Sequence, residues 1–180
     1  MKKTSTSILV FGIFLISYFV QSNFFNWFTI ANVMPNLFVI IIIIIGLFAG
    51  KNTGLIFGLV FGILLDFFIG RYIGLNCVML AGIGYLAGRV NSYFSKDNRL
   101  ILTVATFLGT IVFEIGVCIL SIIIFKQSIE IFTFTKILIL EAFYNAILVI
   151  ILFNLIVKFG FYLEYIFDSS VNRMMQHRLY

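Results

Sequence analysis

The sequence predicts an all-α integral membrane protein folded as a single six-helix transmembrane bundle. Three observations predict it. Of the 180 residues, 62% are hydrophobic and only 11% charged, against roughly 25% charged in soluble domains, and the mean hydropathy is +1.17. So much apolar surface cannot be hidden from water by one small core. The apolar residues fall into six runs, at about 7–22, 36–50, 53–70, 73–89, 100–125 and 137–158, most of them near the length that crosses the hydrocarbon. The basic residues are unevenly placed between these runs. With the N-terminus inside, Lys2, Lys3, Lys51, Arg89, Lys96, Arg99, Lys158, Arg173 and Arg178 fall on the inner side. Only Arg71, Lys126 and Lys136 fall outside. That bias places both termini in the cytoplasm. No polar stretch is long enough for a soluble domain, which argues against most soluble enzyme classes.

Each run has its own character. The start, MKKTSTSILVFGIFLISYFVQSN, has the two lysines and apolar core of a signal peptide. A small-residue cleavage site does not follow, so it reads as a retained first span. The next loop carries Phe24, Phe25, Trp27 and Phe28 without a charge. It reads as an interfacial aromatic belt or as a docking surface for an outer partner. The second run is short, and Ile40 to Ile45 make it apolar on every side. Pro35 suits its first turn, with Asn36 beside it. A span this short is expected to be broken, tilted or capped by neighbours. The third and fourth runs are joined by a very short turn around Arg71, which makes them antiparallel neighbours. The last outer loop, KQSIEIFTFTK, is again short. The segment 159–180 is expected to be a short amphipathic cytoplasmic tail on the inner surface, with Arg173 and Arg178 near lipid phosphates.

The third run, GLIFGLVFGILLDFFIG, holds the most specific pattern. Gly54, Gly58 and Gly62 recur every fourth residue, and the same step reaches Asp66, Gly70 and Gly74. On a helix this spacing traces one slowly winding stripe. Small residues along a stripe let a second backbone approach, which is what drives helix association in lipid. Gly84 and Gly88 form a matching pair on the fourth run. The stripe therefore packs inside the bundle or against a partner helix.

Buried polar residues are the other candidates. A carboxylate at mid-membrane costs about 2.5–3.5 kcal/mol on insertion scales, so it faces a cavity, a partner or another polar group. Three readings are open for Asp66. It pairs with Arg71 or accepts backbone N–H bonds in the outer turn; it clusters with Glu141; or it handles a substrate or proton. Glu114 has no cation at its depth and is expected to be neutral or paired with a polar group. Asn145 lies one turn deeper than Glu141. Cys77 and Cys118 read as buried free thiols. The only histidine, His177, is in the tail. No metal-ligand spacing and no catalytic, cofactor or nucleotide motif occurs. The expectation is a protein without catalytic residues, cofactor, metal or nucleic-acid partner.

Pro35, Asn36, the string Gly54, Gly58, Gly62, Leu64, Leu65, Asp66, Gly70, Gly74, Leu75, and then Gly84, Tyr85, Gly88 resemble the rod shape-determining protein MreD family. The resemblance covers residues 35 to 88, and the second half is only generically similar. It implies a bacterial plasma-membrane protein of the cell-elongation machinery. Such proteins work with MreC, a single-span protein with an outer domain, and with the MreB filament inside. They are linked to RodA and a penicillin-binding transpeptidase, which build the peptidoglycan wall. The resemblance also implies a fold similar to the substrate-binding S-component of energy-coupling-factor vitamin transporters.

Three functions follow for comparison. A non-catalytic scaffold would hold MreC with helix faces and short loops. A small-molecule binder of the vitamin-subunit kind would need a polar cavity, lined by Asp66, Glu141, Asn145 and Trp27. A lipid-handling role would draw on Glu114 and Arg71.

Overall fold

The computed structural model describes residues 2–69, 73–91, 98–126 and 128–167, with side chains from residue 11 onward apart from residue 26. Among these residues the regular structure is helical. Six α-helices follow in order: α1 Lys2–Phe19, α2 Leu37–Ala49, α3 Lys51–Ile69, α4 Leu75–Val90, α5 Arg99–Phe125 and α6 Ile131–Phe167. Helix α1 runs on through a π-helical turn, Val20–Phe24, and one short turn, Phe25–Trp27. Helices α3, α5 and α6 are long and apolar enough to cross a membrane, while Phe11–Phe24, α2 and α4 are apolar but shorter.

Helix α2 is the centre of the molecule. It touches α3, α4, α5 and α6, and ten of its thirteen residues are buried. This accounts for the isoleucine run: a helix apolar all round has no polar face to give to water and is buried on every side. Its length, about 20 Å at 1.5 Å per residue, is short of the ~30 Å hydrocarbon core. Neighbouring helices therefore enclose both its ends. Helix α1 joins this core through Phe14, which is fully buried with ring centroids 5.4 Å from Phe38 and 5.5 Å from Phe61.

The connections are tight. Between α1 and α2, Ile30 and Val33 exchange backbone hydrogen bonds of 3.0 and 2.9 Å. Ala31 and Asn32 both have positive φ there, the pattern of a type I′ turn. One residue, Gly50 with φ 87, separates α2 from α3. Asn98 caps α5, its side chain accepting from the Leu100 and Ile101 amides.

Helix α6 runs through the boundary expected at 158 and continues to Phe167; the rest of the expected tail, residues 168–180 with Arg173 and Arg178, lies outside the described residues. Gly160 lies under the Phe48 ring, and the Phe167 ring sits 5.3 Å from that of Phe57. Those contacts hold the extra turns against the core. At 37 residues, about 56 Å, α6 is far longer than a bilayer core requires.

Candidate functional site

The glycine stripe of α3 lies directly on α4. A Cβ at Gly54 would meet the Gly84 carbonyl; one at Gly58 would meet Leu80 and Ala81; one at Gly62 would meet the backbone of Cys77. From the other side, a Cβ at Gly84 would meet Gly54, and one at Gly88 would meet Lys51. Every one of these obstacles is backbone, which cannot rotate away. Gly46 of α2 enters the same seam, its missing Cβ facing the Gly84 carbonyl at 2.5 Å. Sequence reading passed over Gly46 because it stands alone at the end of an isoleucine run. The stripe is thus filled by the chain's own helices.

Asp66 ends the stripe. It is only 2% exposed. Its Oδ2 accepts from the backbone N–H of Gly74 at 2.8 Å and of Cys77 at 3.2 Å. Its Oδ1 accepts from the Asn76 backbone N–H at 3.1 Å and the Asn76 side-chain amide at 2.9 Å. These donors are the open amides of the first turn of α4. The residue in the N-cap position, Gly74, has φ 99 and no side chain to accept them. Asp66 supplies that acceptor from the neighbouring helix, where a negative group also meets the positive end of the α4 dipole. The glycine is required by its left-handed φ, which side-chain-bearing residues rarely adopt. Gly70 and Arg71 lie outside the described residues.

A second polar junction joins α2, α5 and α6. The first amides of α2 are accepted in part by other elements. Asn36 N–H donates to Asn145 Oδ1 at 2.8 Å, and Leu37 N–H to Gln21 Oε1 at 3.0 Å. Asn36 itself caps the helix, accepting from Val39 N–H at 3.3 Å. The Asn145 amide then donates to Thr110 Oγ1 at 2.9 Å, and the Thr110 hydroxyl donates to the Thr106 carbonyl. A chain of hydrogen bonds therefore runs from α5 through α6 to the start of α2. The Tyr144 hydroxyl, donating to the Phe28 carbonyl, ties the α1–α2 connection to the same part of α6.

One helical turn further along this antiparallel pair brings Glu114 of α5 to Glu141 of α6. The Glu141 carboxyl interacts with the side chains of Glu114 and Asn36. So the partner of Glu114 is Glu141, and the cluster considered for Asp66 and Glu141 does not form. Asp66 sits at the α3–α4 turn, held by α4. Glu141 is 8% exposed, and its Oε1 has no hydrogen-bond partner among the described residues. An unmet buried acceptor costs about 1–3 kcal/mol.

Gln21 and Thr110 were missed from the sequence. Gln21 lies at the end of a span and reads as an interfacial residue; the π-helical turn places it at α2. Thr106 and Thr110 stand four apart in an apolar run, a spacing that puts both on one face. Trp27 is 89% exposed and does not line this junction. Cys77 and Cys118 are free and half-buried.

No curated protein and no solved structure matches this chain. The family model for rod shape-determining protein MreD matches residues 1–159. That match extends past the motif region into α5 and α6, and the apolar helices agree with an integral membrane protein. The chain belongs to the rod shape-determining protein MreD family and so to the proteins of rod cell shape.

Proposed function

We propose that this protein is a non-catalytic membrane scaffold of the cell-elongation complex. On this reading it crosses the plasma membrane six times, with both termini in the cytoplasm and helices arranged similarly to the S-component fold. It binds MreC directly and supports lateral peptidoglycan synthesis alongside MreB, RodA and the penicillin-binding transpeptidase. The observation that carries the reading is the α3–α4 seam. Two helices in backbone contact along their length, locked at one end by Asp66, make a stiff body whose outward faces are free for other apolar surfaces. Those faces are strongly apolar, with Phe67 of α3 and Val78 and Leu86 of α4 all well exposed, as contacts with lipid or partner helices require.

The test is copurification of MreC with the tagged protein, together with cell shape after depletion. Recovery of MreC and rounding of depleted cells are expected. Normal rods after full depletion would remove the scaffold from consideration.

A second reading, a small-molecule binder, rests on the Glu141 oxygen left without a partner beside Asn36, Asn145 and Glu114. It predicts a vitamin-like compound that copurifies and raises the melting temperature. Without either effect, this reading fails.

A further inference from the structure

The meeting of Glu114 and Glu141 follows from helix register as well as from contact. Helices α5 and α6 run antiparallel, and the Asn145 amide meets Thr110 Oγ1 at 2.9 Å. One turn further, forward on α5 and back on α6, the facing positions are 114 and 141. The two carboxyls interact there. Glu141 lies ten residues past Ile131, the first residue of α6, or about 15 Å along the helix.

Two ionised carboxylates would not hold such a contact. A carboxylate accepts hydrogen bonds and donates none, and two like charges repel strongly in an apolar setting. A cation between them would resolve this, but neither carboxyl has a lysine or arginine among its interaction partners. The elements around the pair supply uncharged groups that are already hydrogen-bonded: Gln21 after α1, Asn36 at α2, Thr110 on α5 and Asn145 on α6. Helix α4 supplies Met79, packed on Gly116. Of the titratable groups on α6, the Tyr144 hydroxyl donates to the Phe28 carbonyl, and Lys136 is exposed more than one turn away. Asp66 is held by the first turn of α4.

A single proton satisfies the arrangement. A carboxylic acid can donate its O–H to a neighbouring carboxylate, which gives a charge-assisted bond in place of repulsion. The bare oxygen of Glu141 agrees with this. Glu141 is buried, and its Oε1 has no hydrogen-bond partner among the described residues. The carbonyl oxygen of a neutral acid occupies such a position at a far smaller cost than half of an ionised carboxylate. Glu114 is only half-buried, and it gives the pair a route for exchanging a proton with water.

We propose that Glu114 and Glu141 form a proton-binding site, in which one proton taken from water is held between the two carboxyls and fastens α5 to α6. Release of that proton leaves two like charges between the helices, beside the first turn of α2. The site goes beyond the scaffold reading, and its test makes no use of MreC.

Infrared spectroscopy of the full chain in lipid vesicles tests it. At neutral pH a carboxylic-acid C=O band that shifts in D2O is expected, and E114Q/E141Q abolishes it. Glutamine keeps the size of each side chain; Glu114→Ala with Glu141→Ala serves if that variant does not fold. At neutral pH the folded protein holds a proton that the same glutamates in an unfolded chain have released, so rising pH works against folding. As the band disappears on raising the pH, the melting temperature of the unaltered protein should therefore fall further than that of the double variant. Absence of the band at neutral pH, its survival in the double variant, or equal falls in melting temperature would overturn the proposal. So would loss of the band when sodium replaces an organic cation at constant pH, which would make the occupant an alkali ion.

Discussion

The α3–α4 hairpin and the α2–α5–α6 junction both bury acidic side chains in an apolar bundle, and they satisfy them to different degrees. Asp66 accepts four hydrogen bonds, all from the first residues of α4. Glu141 keeps one oxygen without a partner and faces a second acid, Glu114. The surroundings differ in the same sense. Around Asp66 the helices are in backbone contact, and glycine leaves space for little else. Around Glu141 the contacts run through side chains of Asn36, Asn145 and Thr110, which can change rotamer. The comparison separates structural from available polarity. A carboxylate that completes a helix cap is occupied by the fold itself. A buried carboxyl with an unmet oxygen is held at a cost to stability and is open to a further donor.

Substitution of the hairpin glycines should have the largest effect. Leucine at Gly62 or Gly58 must be placed against the backbone of α4, which cannot shift without opening the whole seam. Destabilisation above about 4 kcal/mol is expected, in the range reserved for severe core disruption. Size-exclusion chromatography of the fluorescently tagged protein should show no folded peak. A normal peak would mean that α3 and α4 do not depend on backbone contact.

Asp66 comes next. In Asp66→Ala the four donors of α4 lose their acceptor, at about 3 kcal/mol or more given ~1–3 kcal/mol for each unmet buried group. Asp66→Asn keeps one carbonyl oxygen and should lose less. Melting temperatures at matched expression rank the two variants, and they should fall in that order. If Asp66→Asn melts normally while cells lose their shape, Asp66 acts on something besides the α4 cap.

The smallest effects are expected at the second junction, and these sharpen the contrast most. Asn145→Ala removes the link between Thr110 and α2; inter-helix side-chain bonds in membranes are worth about 0.6 kcal/mol and at most ~1.7. Glu141→Gln has no bond at Oε1 to lose, so its stability in thermal melts should stay within about 1 kcal/mol of the unaltered protein. A loss as large as that of Asp66→Ala would erase the distinction between the two acids.

Much of the hairpin was legible in the chain because its logic is local. Glycines four apart share a stripe on any helix, and a turn of a few residues leaves the next helix only the antiparallel position. Asp66 was placed at the turn for the same reason, with backbone amides among its stated partners. Its actual donors, on Gly74, Asn76 and Cys77, lie within eleven residues of it. The second junction was not legible. Asn36 and Asn145 are 109 residues apart, and nothing in either segment states that they meet. The sequence names no partner for Glu114 because that partner, Glu141, is on another helix. That match depends on how far α5 and α6 slide past each other.

By itself, the sequence determined composition, hydropathy and the four-residue glycine step. Those settle that the chain is helical and apolar, and which helix face has room for another backbone, because they depend only on residue chemistry and the geometry of one helix. Tertiary structure alone decided that the isoleucine helix is central, that Gln21 and Asn145 meet its first turn, and that Glu141 faces Glu114. In a bundle where nearly every surface is apolar, hydrophobicity does not choose between neighbours. Shape and the few buried hydrogen bonds do, and both exist only once the helices have met.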